Sequence, residues 1–182
     1  MNKKQSTSNI AELITQRRMA LQIKKDYLNL LIRIILLLAF VYILITQVFL
    51  IRQAKGNDMF PAIKDGDLVI AFRLQKEYVK NDTIVFKLDD EISLGRVVAK
   101  ETDVITIDDS GTLLVNGTIQ RGEIVYPTFS KQGIDYPLRI EEDELFVLGD
   151  HRLQADDSRD FGPVKLGQVE GKVITILRRR GL

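Results

Sequence analysis

A chain of 182 residues, 45% hydrophobic and 28% charged, has the composition of one folded domain with an accessory segment, not of a disordered chain. It has no cysteine and a single histidine, His151, which excludes disulfides, thiolate metal sites and histidine-rich metal sites; no cofactor is expected. The net charge of +1 hides an asymmetry: residues 1–27 carry six basic and two acidic groups, residues 53–182 carry 18 basic and 23 acidic ones, the reverse of a nucleic-acid-binding fold.

Residues 1–27 form a basic segment with a partial helical pattern, suited to an anionic inner leaflet or to a solvated cytoplasmic tail. Residues 28–51 then read LNLLIRIILLLAFVYILITQVFLI, with only Thr46 and Gln47 polar from Ile34 onward. About 20 apolar residues cross a bilayer core, so this stretch is expected to be a transmembrane helix, with Arg33 snorkelling near its start. No small-residue cleavage site follows, which argues against a removable signal sequence. The basic residues before the span place the N-terminus in the cytoplasm and residues 52–182 outside.

The outer part reads as short apolar, partly β-branched runs separated by turn residues. Strands are expected at Leu68–Phe72, Thr83–Phe86, Ile92–Ala99, Val104–Ile107, Leu145–Leu148 and Val173–Leu177. Leu113-Leu114-Val115, Asn116-Gly117 and Thr118-Ile119 give the strongest hairpin signal, a two-residue type I′ turn. No amphipathic helix of ten residues follows the span. Residues 120–144 have weak periodicity and end in Glu141-Glu142-Asp143-Glu144, read as a solvated turn. The fold class is therefore mainly β: an antiparallel β domain preceded by one transmembrane helix.

Two stretches stand out from this frame. Gly56-Asn57-Asp58-Met59-Phe60-Pro61 lies just past the apolar run and is rich in turn formers. Gly149 to Gly162 packs aspartates and arginines into one loop directly after an apolar strand, a composition that hydrogen-bonds itself into one shape. With Gly95-Arg96 between them, these stretches resemble the motifs of the type I signal peptidases, membrane-anchored serine proteases with a Ser-Lys dyad. The resemblance covers the whole layout of span and outer β domain. It implies a site scaffold of Met59, Phe60, Pro61, Arg96, Gly149, Asp150, His151, Arg152, Asp157, Ser158, Arg159 and Gly162.

The departures fall on the chemistry. By the resemblance, Asp58 stands where the family has its nucleophilic serine, Gly95 where it has the general-base lysine, and Ala155 where it has the serine that steadies that lysine. His151 replaces an asparagine. A Ser-Lys protease needs a hydroxyl and a neutral amine within about 3 Å of each other. A carboxylate and a bare backbone supply neither, and Arg96 stays protonated. Lys100, Lys55 and Lys64 are the substitutes weighed for the missing amine; Lys100 lies about 16 Å along a strand.

The closest resemblance is to the catalytically degenerate, pilus-associated homologue of Gram-positive bacteria. It implies a pseudoenzyme acting as accessory or chaperone in pilus assembly, with exported pilin subunits and a sortase as partners. One alternative is an active signal peptidase using an aspartic-type pair such as Asp58 and Asp156. Another is a membrane-anchored structural or regulatory domain with a blocked cleft. Neither Asp58 nor Gly95 is expected to matter to stability, unless Gly95 has a positive φ. A cleft that holds its client through backbone and pockets would tolerate Asp58→Ala.

Overall fold

The computed structural model describes residues 2–120 and 126–178, and the chain divides into two units at Ile45/Thr46. The first is a helix, α1 (Asn2–Ile43), which runs into one π-helical turn at Leu44–Val48 that straddles the boundary. From Arg17 to Val48 the helix is long and apolar enough to cross a membrane, with mean hydropathy 2.7 in its most apolar window, none of which is buried. A helix that is apolar all round and unburied by its own chain needs lipid or another apolar surface.

Phe49-Leu50-Ile51 is strand, not the end of the expected 28–51 span: it opens β1 (Phe49–Gln53), whose Leu50 is buried and whose Phe49 and Ile51 are exposed. An apolar run does not by itself mark where helix gives way to strand; here pairing with the next strand decides it.

The second unit is antiparallel β. Its strands are β1, β2 (Leu68–Phe72), β3 (Thr83–Leu88), β4 (Glu91–Lys100), β5 (Val104–Ile107), β6 (Leu113–Val115), β7 (Thr118–Ile119), β8 (Leu138–Arg139), β9 (Glu144–Leu148), β10 (Val164–Lys165) and β11 (Val169–Leu177). Seven form one sheet in the order β1-β2-β11-β3-β4-β9-β10; the others form a second sheet, β7-β6-β5-β8. A short helix, α2 (Ser158–Phe161), lies between β9 and β10.

β9 is the centre of this unit. Successive strand side chains point to opposite faces. Leu145 and Val147 enter one core with Ile84, Phe86 and Val97, while Phe146 and Leu148 enter another with Ile105, Val115 and Ile140. β4 outruns its neighbours: Glu91–Arg96 pairs with β3, but β9 begins to pair only at Arg96. Among the described residues, the N-terminal half of β4 therefore has no strand partner on the side away from β3. The Asn116-Gly117 turn forms as the sequence implies, with φ of 53° and 74°. Glu141, Glu142 and Asp143 are an exposed turn, as expected for that part of 120–144; residues 121–125 lie outside the described residues.

Candidate functional site

The loop after β9 is held almost entirely by its own charged side chains. Asp157 caps α2 and accepts two bonds from Arg159, Nε to Oδ1 and Nη2 to Oδ2, both at 2.9 Å. It also accepts the Gly149 N–H at 3.1 Å. Arg159 donates onward to the carbonyls of Arg152 at 2.7 Å and Phe129 at 3.1 Å. Arg152 Nε donates to the Gly149 carbonyl at 2.8 Å and Nη1 to Thr128 Oγ1 at 2.6 Å. Burial pulls Arg152 down to about 10, and its Nη2 has no partner among the described residues. Gly162, at φ 84°, ends α2 in a conformation that only glycine adopts freely.

This loop meets the other two sequence stretches. Arg96 on β4 grips Asp150 in a fork, with Nε at 2.7 Å and Nη2 at 2.6 Å, and its Nη1 reaches the Asn81 carbonyl. The His151 N–H donates to the Asp58 carbonyl at 2.9 Å. Gly149 passes so close that a Cβ there would lie 2.7 Å from the Asp58 oxygen and inside the Ala155 methyl. Met59 is buried with Ala54, Ile63 and Val69, which anchors the stretch. Phe60 meets the His151 ring edge-on at 6.2 Å, and Tyr126 lies 4.8 Å from the same ring. Pro61 is exposed.

Asp58 also lines a cleft of about 180 Å³. One wall is Arg52–Gly56 and the other is Glu91–Leu94, the unpaired edge of β4. Met59, Ile63, Val69 and Val85 make an apolar floor.

The family model described as "Signal peptidase, peptidase S26" matches residues 27–177. The chain belongs to that family. It is 30% identical over 176 residues to "Signal peptidase IB" of Staphylococcus aureus (strain Mu50 / ATCC 700699), covering 82% of this chain and 88% of the relative. Over 139 residues it is 30% identical to "Probable thylakoidal processing peptidase 2, chloroplastic" of Arabidopsis thaliana, covering 68% of this chain. The match spans only 36% of that plant relative's length. A crystal structure of a signal peptidase I from Enterococcus faecalis V583, 28% identical, covers 55% of this chain and 98% of its own, with a TM-score of 0.46.

Signal-peptidase chemistry needs a nucleophile and a base, and the structure shows what stands near Asp58 and Gly95. Gly95 is buried in β4, and a Cβ there would fall inside contact distance of Val147 Cγ1 and 3.3 Å from the Phe86 ring. The expectation that Gly95 is unimportant to stability is thus corrected: its φ is not positive, but β9 packs where its side chain would go. Ser158 is no substitute nucleophile. It is fully buried and its Oγ accepts the Val147 N–H at 2.9 Å.

Sequence reasoning missed one residue, Lys131. Its Nζ donates to the Ala155 carbonyl at 2.7 Å and Asp160 Oδ2 at 2.6 Å, and its charge acts on Asp58. None of the lysines weighed from the sequence is among the charges acting on Asp58. Lys131 comes from the stretch of weak periodicity, where no local signal marks it.

Burial raises the Asp58 carboxyl, the charges of Asp156 and Asp157 raise it further, and Lys131 and His151 oppose them. The folded chain therefore holds this proton more tightly than the unfolded chain. Stability falls as pH rises from the unfolded carboxylate value near ~4 through the raised folded value. Asp58→Asn is expected to raise Tm at pH 7, with a gain that closes as pH drops toward ~4. Calorimetry across that range checks it. Asp58 is half-buried, so the gain is below about 1 kcal/mol.

Proposed function

We propose that this protein is a non-proteolytic, membrane-anchored member of the signal peptidase family that holds an extended segment of an exported protein in its cleft. The observation that carries the reading is the pair of positions matched to the dyad. Asp58 offers a carboxylate, a weak nucleophile toward an amide, and Gly95 offers no side chain and no space for one. The loop, the Arg96–Asp150 fork and the cleft are nevertheless complete. The open edge of β4 supplies unpaired backbone groups to an added strand, and the apolar floor receives alternate side chains.

The client is an exported pilin subunit and the process is pilus assembly alongside a sortase; the resemblance at the substituted positions supports this. The helix spans the cell membrane, with the basic segment in the cytoplasm and the β unit outside.

Incubating the full chain in detergent with a preprotein, beside an active family member, should show no cleavage. A second reading has one observation in its favour: the raised Asp58 carboxyl near Asp156, the kind of pair that shares a proton and activates water. Cleavage that disappears in Asp58→Ala would establish that reading and overturn ours.

A further inference from the structure

Asp58 is an anion held at the cleft with no donor of its own. Among the described residues its side chain makes no hydrogen bond and no ion pair. Its backbone cannot swing away to find one, because the carbonyl is tied to the His151 N–H and Gly149 packs against the same oxygen. Lys131 Nζ, whose charge acts on it, is engaged by Asp160 and the Ala155 carbonyl. The His151 ring contacts Phe60 and Tyr126, and its buried Nδ1 has no partner among the described residues. Burial and the neighbouring Asp156 and Asp157 both work against the charge. A half-buried carboxylate with no bonded partner, lining a cleft, is open to a cationic group that enters it.

We propose that the Asp58 carboxylate receives the cationic head of a lysine or arginine side chain carried by the extended segment in the cleft. This inference rests on the peptide-holding reading above and adds its specificity. The apolar floor of Met59, Ile63, Val69 and Val85 takes neighbouring apolar side chains, and the basic residue's methylene stem covers apolar surface on its way to Asp58. A client held in this way would not tolerate Asp58→Ala, as one held through backbone and pockets alone would.

The test immobilises the full chain in detergent micelles and exposes it to a synthetic library of decapeptides. The peptides are acetylated and amidated, so that only side chains carry charge, and randomised over all residues except cysteine. Retained peptides are sequenced by mass spectrometry. Lysine and arginine should be enriched about threefold to tenfold at one position relative to the apolar ones, the range of a half-buried ion pair. In Asp58→Asn that enrichment should vanish while the apolar pattern remains, and in Asp58→Lys it should pass to aspartate and glutamate. Apolar-patterned peptides retained with no basic preference would overturn the inference and leave the cleft reading standing. A basic preference that persists in Asp58→Asn would also overturn it. No retained peptides at all would overturn both.

Discussion

Replacing Arg159 with alanine should cost the β unit about 3–5 kcal/mol, among the largest effects of any single substitution in the loop. Arg159 and Asp157 are both buried, with side chains 1% and 4% exposed. Removing the guanidinium strands the Asp157 carboxylate in the interior and leaves the carbonyls of Arg152 and Phe129 without a donor. A carboxylate desolvated without its partner is far costlier than the ion pair was favourable, because water cannot reach it. For a unit of this size the loss lowers Tm by roughly 10–20 °C. Asp157→Ala should cost a similar amount, since it also releases the Gly149 N–H and the cap of α2. The double variant should cost well under the sum, because each single change already breaks the shared contacts.

The control is Arg73→Ala, which breaks an ion pair to Glu170 whose side chains are 36% and 30% exposed. Solvent screens that pair, so its loss should stay within about 1 kcal/mol. Thermal melts that put Arg159→Ala no lower than Arg73→Ala would show that the loop is not held by its buried charges.

Much of the β unit was legible because its strands are self-announcing. Leu68–Phe72 and Val104–Ile107 are β-branched runs closed by turn residues, and Asn116-Gly117 tolerates positive φ at both positions. The turn at Asp89-Asp90 has the same geometry, with φ of 44° and 70°, yet two aspartates carry a much weaker signal than Asn-Gly. β1 hid inside the apolar run, and β8 and β10 are two residues each, too short for any alternation to show. In the site, the density of aspartate and arginine foretold a self-bonded loop, but not its partners. Arg96 meets Asp150 across 54 residues, and Thr128, Phe129 and Lys131 arrive from a stretch without periodicity. Such pairings follow from sheet order, which no local window contains. The packing of Gly95 is of the same kind, since it depends on where β9 places Val147.

That packing sets the outcome of restoring the dyad. Asp58→Ser with Gly95→Lys would return a hydroxyl and an amine, and Ala155→Ser the group that steadies the amine. Even so, the triple variant is expected to show no signal-peptide cleavage above background. The new lysine's Cβ would overlap Val147 Cγ1 and press on Phe86, so either β4 shifts or the side chain is driven off its rotamer. Overpacking of this kind costs about 1–3 kcal/mol. Displacement of the amine by about 1 Å costs about 10²-fold in rate on its own. Lys131 does not add to this obstacle: its ammonium, held on the Ala155 carbonyl, is a like charge that lowers a neighbouring amine's pKa and so favours the neutral form a general base needs. Trimming Val147 to alanine in the same background removes the overlapping methyl. It should recover part of the lost stability, and cleavage should then become measurable in the quadruple variant. Melting curves and a preprotein cleavage assay on both variants separate the two effects. Equal stability and equal activity with Val147 and with alanine would show that β9 does not close the site.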